Sequence, residues 1–438
     1  MCPPDSKRHV LGNAITFEQP EVPYTAIYMC SRFEQHGWSP SLVDLHGAFQ
    51  EDTLSYETLA SLLAKAPPDL VLMSPLTGNY GLARQTIAAV RSIYPRTRIA
   101  AGGPHASACS EELIRDGFDI VVRGPGEDMV TRLANDPDYF ACAKGVIEGT
   151  AKQIIETPAD WPIPNYELLP ARFRKSYYTR IFSARGCPYR CVFCSDTVWN
   201  GRKPEYRELD RIEKEIASAK KTIDFQEIYV SDETFGIDQD HADSVAKLLR
   251  KSGVLWGCES RIDTVTPRML AKLSECGCRE IDYGIESLAS VVLDRVNKHY
   301  GLDRVVTVLE QTAEVGMRTH VNIMVGLPGE TAETARGTRE QVAALIRAGL
   351  INTVDSFITV PYPGSLLHDS AQQYGLRLRH KDWDRYREEA LPVFDLDTMS
   401  AEGIYAAWNE TIELFAEAME SRSDSGNASG DRQVSTSL

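Results

Sequence analysis

The sequence predicts an α/β protein: a doubly wound parallel sheet followed by a partial (β/α)6 barrel of the TIM type. Three observations predict it. Short apolar runs alternate with helical stretches through the first third of the chain, as in a parallel sheet wrapped by helices. The stretch TPADWPIPNYELLP then breaks both periodicities with its prolines. Beyond it the strand-then-helix order returns and repeats six times, which is most of a barrel. The length of 438 residues agrees, since a single core usually stops growing at roughly 250 to 300.

The first domain is expected over 1–155, with strands at Ser41–Leu45, Asp69–Ser74, Arg98–Ala101 and Ile120–Val122. Helical periodicity places helices at Tyr24–His36, Ser55–Lys65, Tyr80–Ile93, Ser110–Asp116 and Glu127–Asn135. A linker is expected at 156–175. The barrel takes 176–378, with strands near Ile181–Arg185, Glu227–Ser231, Val254–Glu259, Glu280–Glu286, Thr319–Val325 and Thr353–Val360. A carboxyl-terminal helical segment follows at 379–422. The last stretch, 423–438, is polar and rich in Gly and Ser, the composition of a disordered tail.

A net charge of -15 argues against a phosphate-backbone partner, so no nucleic acid is expected. No apolar run reaches the roughly 18 residues of a membrane helix, so no membrane partner is expected either. The amino terminus lacks the marks of a secretory signal, and a cytoplasmic location is expected. In that compartment the ten cysteines read as thiols or metal ligands.

Cys187, Cys191 and Cys194 stand in ARGCPYRCVFCSD, just after the first barrel strand. Three thiolates on one short loop need a shared metal. With three protein ligands, one iron of a cubane cluster keeps an open position. Zinc normally takes four closed ligands, and Cys276 and Cys278 are the pair that could complete such a set. Their place at the start of a strand suits core packing instead.

The Cx3CxΦC spacing, with Phe193 before the last cysteine, resembles the signature of radical SAM enzymes. The resemblance implies a 4Fe-4S cluster held by these cysteines and S-adenosylmethionine (SAM) on its open iron. It also implies an electron donor such as a flavodoxin or ferredoxin, and reductive cleavage of SAM to a 5'-deoxyadenosyl radical. Further matches fall at successive strand ends. Asp232 and Glu233 match acceptors for the SAM ammonium, and Arg261 suits its carboxylate. Glu286 and Ser287 match ribose or carboxylate contacts, Asn322 and the turn at Gly326 match the fifth strand end, and Pro361 the adenine side. Taken singly, each has a plainer reading as a helix cap, a turn or a surface charge. Glu259, Asp196 and His320 are the positional candidates for a catalytic acid or base.

The segments IAAGGPHAS and DIVVRGPGE resemble the cobalamin-binding-type domain found ahead of the barrel in one radical SAM class. Ser74, Gly102 and Gly103 are the residues that would approach a cobalamin, although such glycines also make the tight turns of a doubly wound fold. The Asp-x-His-x-x-Gly ligand motif is absent; Asp44-Leu45-His46-Gly47 has its composition with different spacing, which leaves His46 as a candidate ligand.

These resemblances imply a compact enzyme acting on a small polar molecule. The favoured expectation is radical dehydration or rearrangement of a sugar or aminoglycoside-like diol in natural-product biosynthesis. The alternative is a cobalamin-dependent C-methyltransferase. A zinc-stabilised, non-catalytic scaffold is the third reading.

Overall fold

The computed structural model describes residues 22–43, 68–149, 162–196 and 201–428, excluding the side chains of 128 and 423–428. The expected helix Ser55–Lys65, His46, the first part of the linker and the last ten residues lie outside the described residues, as do the last two residues of the expected strand Ser41–Leu45. Ser41 to Val43 carry no regular structure.

Short runs such as Leu70–Met73 are apolar throughout, as strands covered by helices on both faces must be. They form a parallel sheet of β1 (Leu70–Met73), β2 (Arg98–Ala101), β3 (Ile120–Arg123) and β4 (Gly145–Glu148), ordered β1-β2-β3-β4. The sequence reading missed β4. Its four residues hold only two strongly apolar side chains and show too little periodicity to register. Helices at Tyr80–Ile93 and Glu127–Asn135 bury Ile87, Val90, Met129 and Leu133 against the sheet.

The second unit begins with β5 (Tyr178–Ile181). A short antiparallel ribbon, β6 (Ala184–Arg185) and β7 (Glu205–Tyr206), follows it. Then come β8 (Glu227–Val230), β9 (Leu255–Ser260), β10 (Cys278–Glu286), β11 (Arg318–Val325) and β12 (Thr353–Ile358). The sheet runs β5-β8-β9-β10-β11-β12 with every pair parallel, the six-stranded partial barrel. The first strand ends at Ile181, and Ala184–Arg185, expected as its continuation, has left for the ribbon. Alternate residues, among them Trp256, Ile281, Tyr283, Val321 and Val354, face the helices and form the main core. The intervening positions line the lumen.

Two regions pack more than the sequence suggests. Tyr166, Leu169 and Phe173 of the expected linker are buried with Val22, Ile27, Ala219 and Ile223, so the proline-rich stretch is fixed to the barrel wall. The segment after 378 is not helical at first: it makes a 3-10 turn at Trp383–Arg385 and a strand β14 (Phe394–Leu396), antiparallel to β13 (Leu376–Leu378). The helix Ala401–Ala428 then lies along the helix Ala332–Arg347, with Trp408 donating to the Ser356 carbonyl. Among the described residues no helix is long and apolar enough to cross a membrane.

Candidate active site

The loop that carries the three cysteines leaves the carboxyl end of β5, the edge where barrel folds place their chemistry. Asp232, at the end of β8, anchors its start. One carboxylate oxygen accepts from the Ser183 and Ala184 amides at 2.6 and 2.9 Å, and the other accepts from the Ser183 hydroxyl at 2.5 Å. Burial raises this carboxyl to about 6 against those hydrogen bonds. The next residue, Glu233, accepts from the Gly186 amide at 3.1 Å, and burial lifts it to about 7.

Further along, the loop is tied to three strand ends. Tyr189 shares a hydrogen bond with Thr264 at 2.8 Å and stacks under the Arg261 guanidinium at 3.8 Å, both partners following β9. Asn297, in a left-handed conformation after β10, donates to the Arg190 carbonyl at 2.7 Å. The Leu367 amide, beyond β12, donates to the Val192 carbonyl at 2.9 Å. Phe193 packs partly buried between the cores around Val292 and Val360, with the Lys298 ammonium 5.8 Å from its ring centre.

The three sulfurs share this loop, but among the described residues no three His, Cys, Asp or Glu side chains converge to metal-holding geometry. The loop does supply the surroundings a thiolate needs. The Arg261 guanidinium donates to the Cys191 sulfur at 3.1 Å, the Asp196 amide donates to the Cys194 sulfur at 3.4 Å, and Thr234 lies 3.6 Å from that of Cys187. Burial pushes the Cys187 and Cys194 thiols up. Three soft sulfurs on one loop, two of them with N–H donors aimed at them, fit an iron-sulfur group.

Several residues expected to meet SAM have protein partners instead. Asp232 is committed to the loop. Arg261 is gripped by Asp263 through two bonds of 2.9 Å. Glu286 pairs with the buried Lys298 at 2.8 Å and sits at a φ of 66°, while Ser287 bonds Thr338 at 3.2 Å. The Gly326 amide donates to buried Glu330 at 2.6 Å, at a φ of 89° that favours glycine, and Pro361 is buried beside the same core.

Of the three acid-base candidates, Glu259 and His320 share the lumen, whereas Asp196 lies apart on the cluster loop. His320 bonds Thr353 at 2.9 Å and Asn322 at 3.3 Å, and lies 3.7 Å from Asp355. On its other side is Asp282, which accepts from Tyr229 at 2.5 Å. Burial alone would lower His320, but Asp282, Asp355 and Glu280 outweigh it and raise its pKa. The sequence reading missed Tyr229, Asp282, Asp355 and Lys298. The signal for the first three was a polar group at an inward position of a strand whose alternate residues are mostly apolar; for Lys298 there was none.

On the first sheet, the Gly102 amide donates to the Met73 carbonyl at 3.1 Å, joining the carboxyl ends of β1 and β2. A Cβ on Gly103 would fall 2.5 Å from the Ser74 hydroxyl, so the glycine permits that approach; on the Cβ side of Gly102 nothing lies within 4 Å. That opening at the ligand-binding edge of the sheet fits a bulky planar group. The two edges meet: Glu127, just past β3, forms an ion pair with Arg185, two residues before Cys187, and Arg185 lies 5.0 Å above the Tyr28 ring. Burial would raise the Glu127 carboxyl, yet Arg185 holds it below its ordinary value. A cavity of about 430 Å³ lined by Arg174, Lys220, Lys221 and Asp224 lies at the opposite, amino-terminal end of the barrel strands.

Fold and site together define a two-domain protein in which a three-cysteine barrel faces a ligand-binding parallel sheet. Residues 181–342 match the family model described as the radical SAM superfamily, and residues 11–134 match the B12 binding domain. The chain therefore carries a radical SAM domain with a B12 binding domain ahead of it; the first implies a 4Fe-4S cluster and SAM as cofactors, and the second supports cobalamin. An uncharacterized methyltransferase of Pyrococcus horikoshii is 25% identical over 374 residues, covering 81% of this chain and 80% of that one. The anaerobic magnesium-protoporphyrin IX monomethyl ester cyclase of Rubrivivax gelatinosus is 25% identical over 79% of this chain, which spans 65% of that protein's length. The radical SAM methyltransferase TsrM of Kitasatospora setae, solved with cobalamin and a [4Fe-4S] cluster, has the same fold: TM-score 0.64, 19% identity, 83% of this chain and 78% of that one.

Proposed function

We propose that this chain is a cobalamin-dependent radical SAM methyltransferase acting on a small molecule. The observation that carries this reading is the Arg185–Glu127 pair, which sets the cobalamin-side edge directly against the cluster loop. The methyltransferases among the similar proteins support the same choice, and the dehydration expected from sequence, with its lyase and antibiotic-biosynthesis associations, gives way to the alternative.

In this reading Cys187, Cys191 and Cys194 hold the cluster, and Ser74, Gly102 and Gly103 border the cobalamin. Bound, the cluster supplies the electron for reductive cleavage of SAM, and cobalamin supplies a carrier for the methyl group. Arg261 holds an N–H donor on the Cys191 sulfur. Asp232 positions the loop. Phe193 and Asn322, both only partly buried, would border SAM, with Glu286 and Ser287 shaping the end of β10 and buried Pro361 backing the adenine side. Glu233, held near neutrality, can exchange a proton at its carboxyl oxygens. The lumen array of Tyr229, Asp282, His320 and Asp355, with exposed Glu259 above it, offers hydrogen bonds to a polar substrate, and its carboxylates shift His320 toward the protonated form.

Anaerobic reconstitution with iron, sulfide and cobalamin tests the proposal without knowledge of the substrate. S-adenosylhomocysteine should form only when cobalamin is present, and deoxyadenosine should form after reduction. Cys194→Ala should lose deoxyadenosine formation while staying folded. Failure to bind cobalamin, or S-adenosylhomocysteine formation independent of it, would overturn the reading.

A further inference from the structure

The helix Tyr80–Ile93 follows the loop that leaves β1 past Ser74, on the cobalamin side. Its own N-cap residue, Asn79, makes no side-chain capping bond. The cap comes instead from Asp384, 303 positions along the chain, whose carboxylate accepts from the Gly81 amide at 2.9 Å. A negative group there meets both the free N–H and the positive end of the helix dipole. Beside it the Trp383 indole donates to Glu112 at 2.9 Å and packs edge-on, at 5.4 Å, against His105. His105 is 1% exposed, bonds Thr77 at 3.1 Å, and follows Gly102 and Gly103 at the end of β2.

The other end of this short stretch belongs to the barrel. The Ile358 amide, closing β12, donates to the Glu388 carbonyl at 2.7 Å, and the Tyr362 hydroxyl donates to the Glu388 carboxylate at 3.0 Å. Residues 383–388 thus form a strap between the carboxyl edges of the two sheets, the edges at which both folds bind ligands.

Two glycines are shaped to receive it. A Cβ on Gly81 would fall 2.1 Å from an Asp384 carboxylate oxygen, and one on Gly78 would fall 2.8 Å from the Tyr386 carbonyl. Neither has a positive φ, so neither needs glycine for its own conformation. In a helix, alanine at Gly81 would otherwise be favourable. The close approach of the strap accounts for both residues.

We propose that the strap is the element that registers the cobalamin-side domain on the barrel, with Asp384 and Trp383 as its positioning residues. The inference rests on the reading that cobalamin and cluster act on one substrate, and hence must be held at a set separation. Small displacements of one reacting group from another are costly in rate.

The test is a double-mutant cycle in the reconstituted full chain: Gly81→Ala, Asp384→Ala and both, with Asp384→Asn as the conservative control. Cobalamin-dependent S-adenosylhomocysteine formation reports the meeting of the two domains; deoxyadenosine formation and iron content report the barrel alone. Gly81→Ala is expected to lower the first roughly tenfold and to leave the other two unchanged. Calorimetry should show its single unfolding transition split in two. The double variant should match Asp384→Ala rather than sum the two losses, and Asp384→Asn, which keeps the acceptor oxygen, should resemble the parent. A Gly81→Ala variant as active and cooperative as the parent, additive losses in the cycle, or equal loss of both activities would each overturn the proposal. If the parent forms no S-adenosylhomocysteine, the functional reading fails by itself, and the calorimetric cycle still decides for or against the strap.

Discussion

Asp232 separates two roles that a strand-end acid can play. As a SAM ligand it would bind the ammonium; as placed, it holds the chain entering the cysteine loop. Asp232→Ala would leave the Ser183 and Ala184 amides without an acceptor, and both residues are buried, at 0% and 6% exposed. An orphaned buried donor costs roughly 1 to 3 kcal/mol, so the substitution should destabilise the barrel by about 4 kcal/mol. Asp232→Asn keeps one carbonyl oxygen for both amides, and the Ser183 hydroxyl can turn to accept from the new amide group. Its cost should be about 1 kcal/mol. Urea unfolding of the two variants measures the difference, and SAM binding to the reconstituted protein supplies the second axis. If the asparagine variant keeps its urea midpoint but loses SAM affinity tenfold, Asp232 is a ligand and the anchoring role is wrong.

Glu330 should set a pH dependence of stability. Burial lifts its carboxyl from 4.5 to about 7, so the folded chain holds this proton more tightly than the unfolded one. The contribution is complete below about pH 4.5 and is lost as pH rises through 7, a loss of roughly 3 kcal/mol. Urea midpoints at acid and alkaline pH should therefore converge in Glu330→Gln; parallel slopes in parent and variant would refute the linkage. Lys298→Met should cost about 3 to 5 kcal/mol, because it strands the Glu286 carboxylate in a buried site. Adding Glu286→Gln should recover most of that loss in chemical denaturation, and no recovery would show that the pair is not coupled.

Much of this site could be read before any fold was known. The six barrel strands stood out because an apolar residue at every second position is a local pattern, and their ends lie within a few residues of the expected ones. The cysteine loop was visible because three ligands on eight residues are joined by covalent spacing alone. What the strand-end residues do was less legible. Asp232, Arg261 and Glu286 carry the charges expected of SAM contacts, but a charge does not say which partner takes it, and Ser183, Asp263 and Lys298 take these. The stretch after Leu378 was expected to be helical, whereas its residues follow the surfaces of two domains.

The sequence by itself determined the two α/β units, the cluster-type loop and the glycines of the first sheet, because each depends on neighbours a few positions apart. Only the tertiary structure decided that Glu127 meets Arg185, that Asp384 caps a helix begun at Tyr80, and that Tyr229, Asp282, His320 and Asp355 share one lumen. Those contacts join residues far apart along the chain. Their energies come from burial and from partners that adjacency cannot reveal, so they exist only once the sheets have closed.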